Sequence, residues 1–341
     1  MKNLIGGQDP LFPWVLHPNH LFEYGLELGL SRACLLASAQ LTEEDIADVG
    51  LLISWQQYRK IADQVATKAE DWGFRFGLRL PIASHGLLGL LALNCVNWEQ
   101  VIELQENYPL LVSPIFYTER RDTSDYCSLT IHPEFTRDPI LDKSMEAYFS
   151  MFVETIRRMS GVEPSEYIGS LRIRVRGAPP SYSEEWAEHF HGQIEWGHHV
   201  NQIWIVKDLL ATRIPNADPL SAEATRRMLQ AQLNLLPARK GGLNELRVLF
   251  TRGIFKQEDC AKELFTTLPT LKRYLKSACT TFSRELVHYR IDHALWGAAF
   301  TNTPMWQLSE QLGFQDVNSF GRLFKQEVGI SFSEYRTSCT T

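Results

Sequence analysis

Apolar positions recur at helical spacing through the first part of the chain. The segment from Leu21 to Gln40 predicts helix, and so does Ser54 to Trp72, where Trp55, Tyr58, Ile61 and Val65 share one face. Thr42 followed by Glu43, Glu44 and Asp45 reads as an N-terminal cap with acidic residues in the first turn. Phe74-Arg75-Phe76-Gly77 and Gly86-Leu87-Leu88-Gly89 punctuate this region, and Asn97 to Tyr108 predicts a further helix. The periodicity then changes. Ser113 to Glu119 and Tyr126 to His132 predict strands joined by the polar turn Arg121 to Asp125. Pro139 to Met159 returns to helical spacing. Leu171 to Arg176 alternates strictly between apolar and basic residues, as a half-buried strand does, and Ile203 to Val206 is a short apolar strand. Helices followed by strands without regular alternation imply an α+β domain.

Ile214-Pro215-Asn216-Ala217-Asp218-Pro219 has the composition of a linker. Ser221 to Leu236 predicts one more helix, with Leu229, Leu233 and Leu236 in line. Two readings of that stripe stand open: packing onto its own domain, or a contact between subunits. Pro237 and Gly241-Gly242 then break the chain. The expected division is a regulatory domain over 1–212, a connector with a candidate dimer helix over 213–240, and a second domain over 241–341.

That last domain is all helix and contains one unit twice. Ala261 to Phe265 runs into Leu271 to Lys276; Ser309 to Gly313 runs into Phe320 to Lys325. The first halves are 48 residues apart and the second halves 49. Each copy predicts a helix, a tight turn and a second helix bearing Arg and Lys. In the first copy Thr267 caps the second helix and Pro269 occupies its first turn. Leu264, Leu271, Leu275 and Ala278 face inward. Thr267, Pro269, Thr270, Lys272, Arg273, Tyr274 and Lys276 are left for an outward face. In the second copy Thr303 caps, Pro304 starts the helix, Met305, Leu308 and Leu312 point inward, and Gly313 makes the turn. Asn318, Ser319, Gly321, Arg322 and Lys325 remain accessible beside an inward row of Phe320, Phe324 and Val328. Such faces place cations on phosphates and a few side chains on base edges. Arg284 to Phe300, between the copies, predicts a long helix that fixes their spacing, about 34 Å for major grooves one turn apart.

Charge supports this division. The 341 residues carry a net −6, yet Pro237 to Thr341 holds 14 Lys+Arg against 10 Asp+Glu. A basic end on an acidic remainder fits one domain that meets phosphate. A hydrophobic content of 44% with 22% charged residues is that of a soluble globular protein. The six cysteines, Cys34, Cys95, Cys127, Cys260, Cys279 and Cys339, form no Cys-x-x-Cys pair, which points to reduced thiols in a cytosolic protein. The N-terminus lacks an apolar signal region, and no apolar run is long enough to span a bilayer.

The second copy carries Gly313-Phe314-Gln315-Asp316-Val317-Asn318-Ser319-Phe320-Gly321-Arg322-Leu323-Phe324-Lys325, followed by Gly329 and Glu334-Tyr335-Arg336. This string resembles the C-terminal signature of AraC/XylS-type transcription regulators. The first copy resembles it too, with Phe265 where the family usually has the turn glycine and Thr267 where it has serine; Phe332 stands where the family usually has proline. Phe76-Gly77-Leu78, Gly86-Leu87-Leu88-Gly89, the Asn97 to Tyr108 segment, and Phe190-His191-Gly192 with Ile194-Glu195-Trp196 resemble the arabinose-binding-like effector domain of one branch of that family. The resemblance implies promoter DNA and a small-molecule or fatty-acid-like effector as ligands, with an amino acid or a fatty acid as the two effector candidates. It also implies a homodimer, with RNA polymerase as a further candidate partner.

Two other groups of residues invite a chemical reading. His189, His191, His198 and His199, with Glu195 between, could ligate a metal, which would make the first domain a metal-dependent sensor or enzyme tethered to DNA. A strand-turn-strand segment with part-exposed histidines is the preferred reading, and neither metal nor cofactor is expected. Trp55, Arg75, His85, Trp98 and Tyr117 are candidates for an apolar effector cavity in which Arg75 meets a carboxylate; core aromatics plus a surface arginine is the plainer reading of any one of them. No Gly-x-Ser-x-Gly, phosphate loop or dinucleotide fingerprint is present, so nothing in the chain calls for catalysis. A third reading is a regulator that needs no ligand and acts through protein contacts.

Overall fold

The computed structural model describes residues 6–135, 138–160, 169–191, 193–235 and 242–340. The chain separates into two compact units. One gathers Gly7–Pro133 and Arg137–Ala238; the other gathers Arg239–Thr341 together with the short segment Glu134–Thr136. Leu236, Pro237, Gly241 and Gly192, all used in the sequence reading, lie outside the described residues.

The larger unit is α+β. Strands β1 (Pro10–Pro13) and β2 (Leu52–Ser54) form a small antiparallel pair. Five more strands, β3 (Phe116–Asp122), β4 (Tyr126–Pro133), β5 (Leu171–Arg176), β6 (Ile194–His198) and β7 (Asn201–Val206), make one sheet in the order β3-β4-β7-β5-β6. Pairing is antiparallel except between β5 and β6. The alternation in β5 is real: Leu171, Ile173 and Val175 are buried while Arg172 and Arg176 are exposed. The hairpin β3-β4 opposes Asp122 to Cys127, so its turn is shorter than the polar run suggests.

The helical segments divide more finely than the spacing indicated. Leu21 to Gln40 is two helices, His17–Glu27 and Arg32–Ala39. Between them Gly29 takes a left-handed φ of 85°. Trp55–Ala66 is a single helix that buries Trp55, Tyr58, Ile61 and Val65 as expected, and Ser54 opens it with a capping box to Gln57. Trp72 does not close that helix. It starts the next one, Trp72–Arg79, which contains the whole Phe74-Arg75-Phe76-Gly77 run. Gly77 does not break this helix. A Cβ at Gly73 would lie 2.1 Å from the Lys143 carbonyl oxygen, and one at Gly77 2.3 Å from that of Ala147. The two glycines let this helix cross the long helix Pro139–Ser160 backbone against backbone. The connector helix, Pro219–Leu235, packs on the helix Leu87–Leu93 of its own unit and buries Leu229, whereas Leu220 and Met228 are exposed. No helix among the described residues is long and apolar enough to cross a membrane.

The smaller unit is helical: α1 (Gly242–Thr251), α2 (Gln257–Glu263), α3 (Leu268–Ser277), α4 (Phe282–Phe300), α5 (Met305–Gln311), α6 (Val317–Val328) and α7 (Phe332–Thr340). Its core is aromatic. Phe250 and Tyr289 join α1 to α4, while Phe320, Phe324 and Phe332 meet at ring separations of 5.3–6.1 Å where α6 and α7 pack. Phe332 is 3% exposed, so the ring fills this cluster at the start of α7. Arg247 of α1 and Asp292 of α4 form a partly buried ion pair.

Candidate nucleic-acid interface

The duplicated unit is duplicated in its hydrogen bonds. In the first copy the amides of Leu264, Phe265 and Thr266 donate to the carbonyls of Cys260, Lys262 and Ala261 at 3.0, 2.9 and 2.9 Å. In the second, the amides of Leu312, Gly313 and Phe314 donate to Leu308, Glu310 and Ser309 at 3.0, 2.9 and 3.0 Å. Donors and acceptors all correspond at an offset of 48. The middle residue of each turn is left-handed, with φ 52° at Phe265 and 70° at Gly313. The small residues Ala261 and Ser309 are each 2% exposed, which lets the paired helices approach.

The following helices start at an offset of 49. Thr267 caps α3, its hydroxyl accepting from the Thr270 amide at 3.4 Å, and Pro269 sits in the first turn. Asp316 caps α6: its carboxylate accepts the Ser319 amide at 2.8 Å and the Ser319 hydroxyl at 2.7 Å. These bonds hold the Asp316 carboxyl below its ordinary range, the hydroxyl contributing most. Inward rows also match, Leu271 and Leu275 against Phe320 and Phe324, all nearly inaccessible. Arg273 and Lys276 correspond to Arg322 and Lys325, and all four are exposed.

Most of the proposed contact residues are therefore open to a ligand. Thr267, Pro269, Lys272, Arg273, Lys276, Asn318, Arg322 and Lys325 are exposed; Thr270, Ser319 and Gly321 are half-buried. Arg322 leans on the Ser319 hydroxyl at 3.3 Å. Gly321 is covered by Met305, whose Cε lies 2.8 Å from where a Cβ would stand. Tyr274 requires correction. It is 6% exposed, and its hydroxyl donates to Glu134 at 3.2 Å, so it belongs to the core side of α3. The spacing of Leu271, Tyr274, Leu275 and Ala278 is a full helical stripe, and that signal places it inward. In the second copy, Pro304 is itself the cap position and Met305 the first helical residue; Thr303 does not cap. Met305 and Leu264 are half-buried rather than core.

Two structural residues escaped the sequence reading. Asp316 is the cap just described. Arg290 of α4 straps the second turn: it donates to the Leu312 and Gly313 carbonyls at 2.9 and 3.2 Å and stacks on Phe314 at 4.2 Å.

In the larger unit the five effector candidates occupy different surroundings. Trp55 stacks with Tyr58; Trp98 donates to the Ser160 hydroxyl at 3.2 Å; Tyr117 stacks on His132; His85 contacts His17 and the Val112 carbonyl. Arg75 is exposed and ion-paired with Asp71 and Glu185, so its charge points outward and is already matched. Burial lowers the basicity of His85 and of His17 beside it. The histidine-rich segment is helix, turn and strand rather than strand, turn and strand. His189 ends the helix Ser183–His189, and His191 takes a left-handed φ of 50°. His198 lies on β6 with Nε2 3.1 Å from Glu195. Among the described residues no three His, Cys, Asp or Glu side chains are grouped as a metal site would require.

A repeated helix-turn-helix, each copy with an exposed basic second helix, defines a DNA-binding transcription regulator. The sequence profile of the arabinose-binding domain of AraC transcription regulators matches residues 29–214, and a helix-turn-helix domain profile matches residues 260–338. The chain belongs to the AraC family of transcription regulators, in the branch with an arabinose-binding-like N-terminal domain. It is 24% identical over 341 residues to the ornithine utilization regulator of Pseudomonas aeruginosa, covering 98% of this chain and 99% of that one. To the urease operon transcriptional activator of Escherichia coli it is 34% identical over 79 residues, 23% of this chain and 27% of that one. The crystal structure of the transcriptional regulator CdpR from Pseudomonas aeruginosa aligns with a TM-score of 0.44 and 18% identity, over 93% of this chain and 98% of that one.

Proposed function

We propose that this regulator reads promoter DNA through α3 and α6 in two neighbouring major-groove segments, as a homodimer whose arabinose-binding-like domain takes a small-molecule or fatty-acid-like effector. The observation that carries the DNA part is the repetition itself. Two turns with the same hydrogen-bond pattern present Arg273 with Lys276, and Arg322 with Lys325, at equivalent places on two helices. Thr267, Thr270, Asn318 and Ser319 lie at the N-terminal ends of those helices, where base edges are met; Lys272 adds a third cation on α3. RNA polymerase is the downstream partner in this reading.

An amino acid is the favoured effector class. One relative that matches along the whole chain is a regulator of ornithine utilization, and a compact zwitterion suits a regulator of amino-acid catabolism. The effector acts by binding one conformational state better than the other, since equal affinity for both shifts nothing. Thermal shift of the full chain against free amino acids and fatty acids tests this part. A stabilising amino acid that also changes affinity for DNA selected from a genomic fragment pool supports it. Stabilisation by fatty acids alone replaces the effector class, and no response in either panel favours control through protein contacts.

A further inference from the structure

Phe265 is 93% exposed, the most exposed of the large hydrophobic side chains in the described residues. Its backbone is left-handed, φ 52°, a conformation that disfavours every side chain and an aromatic one especially. The ring therefore gains nothing from packing and its backbone is strained. Glycine would satisfy the same turn, as Gly313 does in the second copy. An exposed aromatic held in a strained turn, without packing in return, points to a contact made with something else.

Its position says what that contact is. Phe265 stands two residues before Thr267, the cap of α3, at the end of the helix that enters the major groove in helix-turn-helix docking. The exposed side chains that follow it, Thr267, Pro269, Lys272, Arg273 and Lys276, carry hydroxyl and cationic groups suited to phosphates and base edges. The apolar group that the major groove offers is the thymine C5 methyl. The geometry points to Phe265 as a specificity residue that packs on thymine methyls at the edge of the segment read by α3. This rests on the DNA-binding reading above. The second copy has no equivalent: a Cβ at Gly313 would lie 2.3 Å from Phe255, so the space used by the first ring is filled there. Methyl recognition is thus confined to one half of the site.

The test uses the full chain and the DNA it selects from a random-sequence pool. Each thymine in that DNA is replaced in turn by uracil, which lacks only the methyl. The wild type loses affinity about fourfold, the weight of a buried methyl, at one or two positions in the α3 segment. Phe265→Gly and Phe265→Asn, both compatible with the left-handed turn, bind the parent DNA more weakly, by about three- to tenfold, and lose that uracil response. Hydrogen exchange of the α2 and α3 amides in Phe265→Gly is unchanged or slower. Variants with wild-type affinity and an unchanged uracil profile overturn the assignment; if their self-association changes instead, the ring serves a protein contact. Faster exchange in Phe265→Gly also overturns it, because the ring would then be structural. If the wild type selects no sequence, the regulator reading fails as a whole, an outcome distinct from the failure of Phe265 alone.

Discussion

Replacing Gly313 by alanine measures how closely the second turn is built. Two effects add. The residue must keep φ 70°, which disfavours an L side chain by about 1–2 kcal/mol. Its new Cβ would also stand 2.3 Å from Phe255 Cδ2 and 2.6 Å from Cε2, well inside contact distance. The Phe255 ring has Phe250, Tyr289 and Arg290 around it, so relief requires shifting packed neighbours, typically about 1–3 kcal/mol. The sum, about 2–5 kcal/mol, is large beside the total stability of a small domain, about 5–15 kcal/mol. A single unfolding midpoint does not isolate it in a two-unit chain. Hydrogen exchange of the α5 and α6 amides does: their opening becomes roughly 30- to 5,000-fold more frequent, while exchange in the 29–214 domain is unchanged. A change under about 0.5 kcal/mol, as for ordinary surface sites, would refute the view that Gly313 is required by both φ and space.

Other consequences are electrostatic. Glu134 is buried and accepts the Leu243 and Asn244 amides at 2.8 and 3.3 Å as well as the Tyr274 hydroxyl; burial outweighs these donors and pushes its carboxyl up to about 8. A raised value means that the folded form holds the proton more tightly. Its contribution to stability is full below the unfolded value near 4.5 and is lost as pH rises through about 8, roughly a few kcal/mol in all. Glu134→Gln should flatten that decline in urea titrations of α1 and α3 followed by hydrogen exchange from pH 5 to 9; parallel profiles for variant and parent would count against it. On the DNA side, Lys276→Ala and Lys325→Ala should each reduce the slope of log affinity against log salt by about 0.9. Identical slopes in fluorescence anisotropy would remove those lysines from the phosphate contacts.

Which features could be read from the chain follows from where their determinants lie. The second turn was legible because Gly313 and the Phe320, Phe324 and Val328 stripe are local signals. The first turn was legible only by comparison with the second, since Phe265 conceals the left-handed position that a glycine would advertise. Strand β5 announced itself through alternation, whereas Gly77 looked like a break because its partner, the helix Pro139–Ser160, is some 70 residues away. Tyr274 was misplaced although its spacing was available, because lysine and arginine on both sides drew it toward the polar face; its partner Glu134 is 140 residues distant. The effector residues were least legible. Aromatic composition alone does not say which side chains converge, and Trp55, Trp98, Tyr117, His85 and Arg75 have different neighbours.

Hydroxyl-radical footprinting of the full chain on its selected DNA tests the central claim most directly. Two protected segments are predicted, centred about one helical turn or ~34 Å apart. Arg273→Ala should weaken protection of one segment and Arg322→Ala of the other. A single protected segment, or one in which both variants affect the same bases, would contradict the claim that both copies of the unit read DNA.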